Sequence, residues 1–137
     1  MILHLSKETL DRLWDRVTPG LSRALDKTTL GEFWDLKGLR SAINYGMLYG
    51  FHQVDSGYSG VYSIVETPKA KQLTFFWSGK NPENPHPIDY NAIDEHLKHM
   101  ARIFDCTHIS CEGRVGWKKT LEPLGYSPDG SLYLKRV

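Results

Sequence analysis

The chain is poor in the features that usually announce a function. It has two cysteines in 137 residues, too few for a disulfide framework and in keeping with a reducing compartment. It has no apolar run of membrane length, so no transmembrane span is expected. Its start, MILHLSKETL, lacks the basic-then-apolar pattern of a signal segment, which leads us to expect a protein made and used in a cytoplasm. Charge of one sign is missing too. Seventeen Lys and Arg against sixteen Asp and Glu leave a formal charge of +1, with no electrostatic footprint for nucleic acid or a membrane surface. Neither a glycine-rich phosphate loop nor a paired C-x-x-C knuckle is present.

What is present is a fold. The length suits one domain, and such a chain buries roughly two-thirds of its unfolded surface. Aromatics make up 12% of it, which argues against disorder. Ser6 can cap a first helix carrying Leu10, Leu13, Trp14 and Val17 at helical spacing. Pro19-Gly20 is expected to end that helix, and a second short one fits Leu21 to Asp26. Thr29-x-x-Glu32 has capping-box form, which predicts a third helix over Leu30 to Lys37, stopped by Gly38. From Gly46 the period shortens. Met47–Val54, Gly60–Glu66 and Gln72–Trp77 read as three strands joined by short turns, an antiparallel meander. Ser78–Pro87 is a polar loop with three prolines. Asp89 opens a helix with Ile93, Leu97, Met100, Ala101 and Phe104 on one face. It leads into a strand at Cys106–Cys111, and this crossover requires that strand to run parallel to Gln72–Trp77. A short helix over Arg114–Glu122 and a closing hairpin, around Tyr126 and at Leu132–Arg136, complete an α+β order of elements.

This order, covering about the last two-thirds of the chain, resembles the GNAT fold of acyl-CoA-dependent N-acetyltransferases. The likeness is carried most specifically by Leu121-Glu122-Pro123-Leu124-Gly125-Tyr126, where Gly125-Tyr126 stands in place of the Gly-Phe that closes the family's Tyr-x-x-x-Gly-Phe motif. The segment Glu112-Gly113-Arg114-x-Gly116-Trp117 is similar to a variant in small GNAT-like proteins of tailed phages. The Ser78-Gly79-Lys80 stretch and the layout are similar to podovirus internal virion proteins. The resemblance implies a single GNAT-like domain with acetyl-CoA as cofactor if it is active. Gly79 and Lys80 would then sit in the cofactor loop, and Arg114 would offer a phosphate-facing charge.

Two departures weigh against catalysis. The family's pyrophosphate cradle is made of backbone N–H groups opening onto a helix N-terminus. Here the loop offers Gly79 and three prolines, which have no N–H, and Asp89 and Asp94 put negative charge in the helix's first turns. The family's general acid is the Tyr four residues before Gly-Phe, and that position is Leu121, which has no proton to give. Were an enzyme to survive, Glu66 is the candidate base and Tyr126, or Tyr133, the replacement acid. Each also reads as an ordinary strand-end carboxylate or a half-buried hairpin aromatic. Cys106, His108 and Cys111, with His96 and His99 one helix away, have zinc-ligand chemistry but poor spacing on a strand, so no metal is expected. The sequence thus favours a protein without a working acyl-CoA site, virion-associated or engaging a host protein, in host cytoplasm or the virion, through whichever of Trp14, Phe33 and Trp34 the covering of the sheet leaves exposed. The alternative is an active N-acetyltransferase moving an acetyl group from acetyl-CoA to an amine.

Overall fold

The computed structural model describes residues 1–112, 117–130 and 133–137. Its elements run β1 (Ile2–Leu5), α1 (Leu10–Lys27), α2 (Leu36–Asn44), β2 (Tyr49–Gln53), β3 (Tyr58–Glu66), β4 (Lys71–Lys80), α3 (Tyr90–Ile103), β5 (His108–Cys111) and α4 (Lys118–Leu121). Short 3-10 turns occupy Thr29–Glu32 and Glu122–Leu124. The strands form one mixed sheet in the order β1-β2-β3-β4-β5. The first four pair antiparallel, and β5 joins β4 in parallel after the α3 crossover. No helix among the described residues is long and apolar enough to cross a membrane.

The sheet separates two cores because strand side chains alternate between faces. One side collects Leu5, Val61 and Trp77 with the apolar faces of α1 and α2. The other collects Phe51, Tyr62, Leu73 and Phe75 with Ile93, Leu97 and Met100 of α3. Phe75 and Trp77 are two apart yet face opposite sides, because a bulge intervenes. Tyr62 pairs with Phe75 and Val61 with Trp77, leaving Phe76 without a partner. The extra residue turns the strand over, so Phe76 and Trp77 both pack on the α1 side.

Several boundaries differ from the sequence reading. Pro19 does not end α1, which runs through it to Lys27. The missing N–H costs one helical bond, but Val17, Leu21 and Ala24 are buried along one face and hold the helix together across it. Thr29 does not start a long helix. Thr28 caps only a 3-10 turn, and Asp35 caps α2 by accepting from the Gly38 N–H at 2.6 Å. Gly38 therefore lies inside α2. Thr9 rather than Ser6 precedes α1, and its hydroxyl donates to the His4 carbonyl at 2.8 Å. β1, which the sequence reading left out, pairs with β2 from Ile2↔Gln53 to Leu5↔Gly50. The expected closing hairpin is not formed by residues 126–130 or 133–137, which are not in strands; residues 131–132 lie outside the described part. Of the expected helix over Arg114–Glu122, Lys118–Leu121 is α-helical, and Arg114 lies outside the described residues.

Candidate functional site

The parallel pairing of β4 with β5 ends at Phe75↔Cys111, with a last bond from the Glu112 N–H to the Phe75 carbonyl at 2.9 Å. β4 continues to Lys80. Where the two part, a shallow cleft opens, about 280 Å³ including its mouth, lined by Phe75, Trp77, Ser78, Cys111, Glu112, Trp117 and Leu121. A second cleft adjoins it and brings in Tyr58, Tyr90, Asp94 and Tyr126. Trp117 stands between them, edge-on to Tyr90 at 5.7 Å between ring centroids. Most of that volume is open solvent; the enclosed part is about 30 Å³, far below what a ligand pocket holds.

Burial holds the thiol and phenol groups around these clefts in their neutral forms. Burial pushes the Cys111 thiol up to about 11, so it is no thiolate nucleophile at neutral pH. Tyr58 is raised by burial. Tyr126 is raised by burial first, then by Cys111 and Asp94 beside it. Its hydroxyl donates to Asp94 Oδ1 at 3.2 Å, and the buried Asp94 carboxylate also meets Lys98 Nζ at 3.3 Å. A phenol so placed gives up its proton reluctantly. It ties the turn after α4 to α3. Leu121 lines the cleft, as a residue without a proton to donate.

The loop after Trp77, Ser78–Pro87, is where the sequence places the cofactor loop. Ser78, Gly79 and Lys80 are instead the end of β4, paired with Gly60, Ser59 and Tyr58. That pairing extends the strand three residues past the run whose composition announces it. Beyond it, residues 81–89 contain three prolines and six N–H groups, and five of the six have internal acceptors. The Asn81 N–H donates to the Gly57 carbonyl and the Asn84 N–H to the Asn81 carbonyl. The N–H groups of Glu83 and His86 donate to the side chains of Asn81 and Asn84. The Asp89 N–H donates to Gln53 Oε1 at 3.1 Å, and Gln53 Nε2 returns a bond to the Asp89 carbonyl. Lys80 Nζ donates to the Asn84 carbonyl, closing the loop on itself. At the N-terminus of α3 the Asp89 carboxylate accepts from the Ala92 N–H at 3.1 Å. A pyrophosphate needs free N–H groups and a helix end open to an anion. Here five of the six donors are committed and a carboxylate already caps the helix. The residues present do not fit the pyrophosphate end of acetyl-CoA.

The other candidates are scattered. Glu66 is exposed at the far end of β3, paired with Lys71, and Trp77 lies six positions along β4 from Lys71, about 20 Å along an extended strand. Tyr126 reaches the second cleft, and Tyr133 lies 91% exposed in the C-terminal segment. Gly79 meets α1 rather than the clefts. A Cβ on it would lie 1.8 Å from the Gly20 carbonyl oxygen. Among the described residues no three His, Cys, Asp or Glu side chains converge as a metal site; Cys106 and Cys111 are free thiols. The sequence reading gave no role to Ser78, Glu112 or Gln53. The first two could have been found from the crossover, which brings the ends of β4 and β5 side by side. Gln53 accepts locally from the Ser56 hydroxyl, but its loop partner, Asp89, is 36 residues away.

No family model and no curated protein sequence matches this chain. Solved structures do. A probable acetyltransferase superposes with a TM-score of 0.72 at 12% identity, covering 100% of this chain and 97% of its own. An aminoglycoside acetyltransferase from an uncultured soil metagenomic sample gives 0.73 at 10% identity, with 100% and 97% covered. A ribosomal-protein-alanine N-acetyltransferase from Brucella melitensis biovar Abortus 2308 gives 0.70 at 12%, with 100% and 99% covered. At such identities the agreement concerns the fold: the chain has the GNAT-like α+β architecture, with a mixed five-stranded sheet and four helices among its described residues.

Proposed function

We propose that this GNAT-fold chain has no acyl-CoA chemistry and acts by protein contact. The observation that carries the reading is the closed segment 81–89, where five of six amides and the helix end are already bonded within the chain. Support comes from Leu121 in the cleft where an acid is needed, and from Tyr126, whose hydroxyl is engaged by Asp94. Exposed large side chains at Phe33, Tyr45 and Met47 are of the kind that anchor interfaces. The finer reading, a phage-encoded protein that enters the virion or engages a host protein, rests on the likeness at Glu112–Trp117 and gives the partner its class.

A second reading, an N-acetyltransferase using acetyl-CoA and an amine acceptor, is favoured by the cleft at the β4–β5 divergence and by the named activities of the fold neighbours. Incubation with acetyl-CoA and a panel of polyamines, aminoglycosides and peptide N-termini, with release of free CoA thiol followed, separates the two. We expect release indistinguishable from a protein-free blank. Steady turnover with any acceptor would establish the second reading.

A further inference from the structure

We infer that the contact between His4 on β1 and His96 on α3 is an acid-sensitive latch, closed at neutral pH and released in mild acid so that α3 loosens from the first strand. The two rings face one another with centroids 6.5 Å apart. His4 also stacks on Tyr49 of β2, and His96 meets the edge of Phe51. His4 Nδ1 and His96 Nε2 are both buried with no hydrogen-bond partner among the described residues. A neutral imidazole tolerates this, because one of its nitrogens is only an acceptor. An imidazolium donates from both nitrogens, so charging either ring orphans a donor, and charging both sets two cations against each other.

The titratable groups facing the pair are Glu8 in the turn before α1, His99 one turn along α3, and Tyr49 with Tyr62 behind it. Glu8 draws a proton toward His4, but burial is the larger effect and holds His4 below the ordinary imidazole value. His96 is taken down to about 4, by burial first and then by His4 and His99. A group depressed in the fold adds stability above its unfolded value of about 6.5 and loses it as the pH falls toward its folded value. The window of loss therefore runs from about 6.5 down to about 4. His52 is also lowered by burial, but it faces Ser59, whose hydroxyl lies 2.8 Å from its Nδ1. It adds a global acid sensitivity that a local readout must exclude.

Amide exchange of the intact protein, corrected for intrinsic rate at about pH 7.5 and about pH 5, provides that readout. We expect the opening constant of α3 amides to rise about tenfold relative to β3–β4 amides, the partial exposure of His96 trimming the larger change that full burial would give. His96→Phe should hold that ratio within about twofold, and His4→Phe, a second variant should the first not fold, should at least halve the rise. His52→Phe should leave the rise intact. An unchanged α3 ratio in the wild type, or the full rise persisting in both His4→Phe and His96→Phe, would overturn the latch.

Discussion

Gly79→Ala is expected to remove a large share of the protein's stability. Gly79 and Gly20 meet backbone to backbone where α1 crosses β4. A Cβ at 79 would sit 1.8 Å from the Gly20 carbonyl oxygen, and one at 20 would sit 2.3 Å from the Gly79 oxygen. No rotamer relieves a backbone clash, so the helix must lift from the strand. Lifting it opens the core that Val17, Leu21 and Trp77 share. Overpacking ordinarily costs about 1–3 kcal/mol; with rigid main chain on both sides we expect more than about 3 kcal/mol, read as a fall in the urea midpoint. A midpoint near that of the wild type would mean that α1 does not cross β4 so closely. The glycine that looks like part of a cofactor loop is thus accounted for by packing.

Trp77→Ala should cost about 3–5 kcal/mol, a large share of the roughly 5–15 kcal/mol that holds a domain together. Trp77 is 1% exposed, its indole N–H donates to the Leu21 carbonyl at 3.0 Å, and Trp34 packs on its ring. Alanine leaves a cavity between α1 and the sheet and removes that bond. Trp77→Phe, which keeps most of the volume, should lose markedly less. Equal losses for the two variants in chemical denaturation would show that the bond, not the volume, dominates.

Both sites show why the fold was more legible than its details. The meander, the crossover and the parallel β5 follow from strand-prone runs, short turns and one amphipathic helix, and the structure has them. β1 was hidden because Ile2–Leu5 is a strand only through pairing with β2, some fifty residues on. Pro19 and Gly38 signal helix ends locally, but burial and the Asp35 cap decide otherwise. The bulge at Phe76 cannot be read from alternation within β4, since it exists only in the register with β3. At the candidate site the sequence showed the prolines and the missing acid at Leu121. It did not show that the Gln53 side chain and the Gly57 carbonyl take up loop donors, because those bonds depend on where the β2–β3 turn comes to rest; the bonds to Asn81 and Asn84 are local turns within the loop.

The closed cofactor loop is tested most directly by a thermal-shift titration with acetyl-CoA, run beside desulfo-CoA and a Lys80→Ala protein. Any ligand selective for the native state must raise the melting temperature. With five of the six amides of 81–89 bonded within the chain and Asp89 on the end of α3, we predict no saturable shift at millimolar cofactor. A saturable rise of several degrees, weakened by Lys80→Ala, would contradict the account and return the chain to the acetyltransferases whose fold it has.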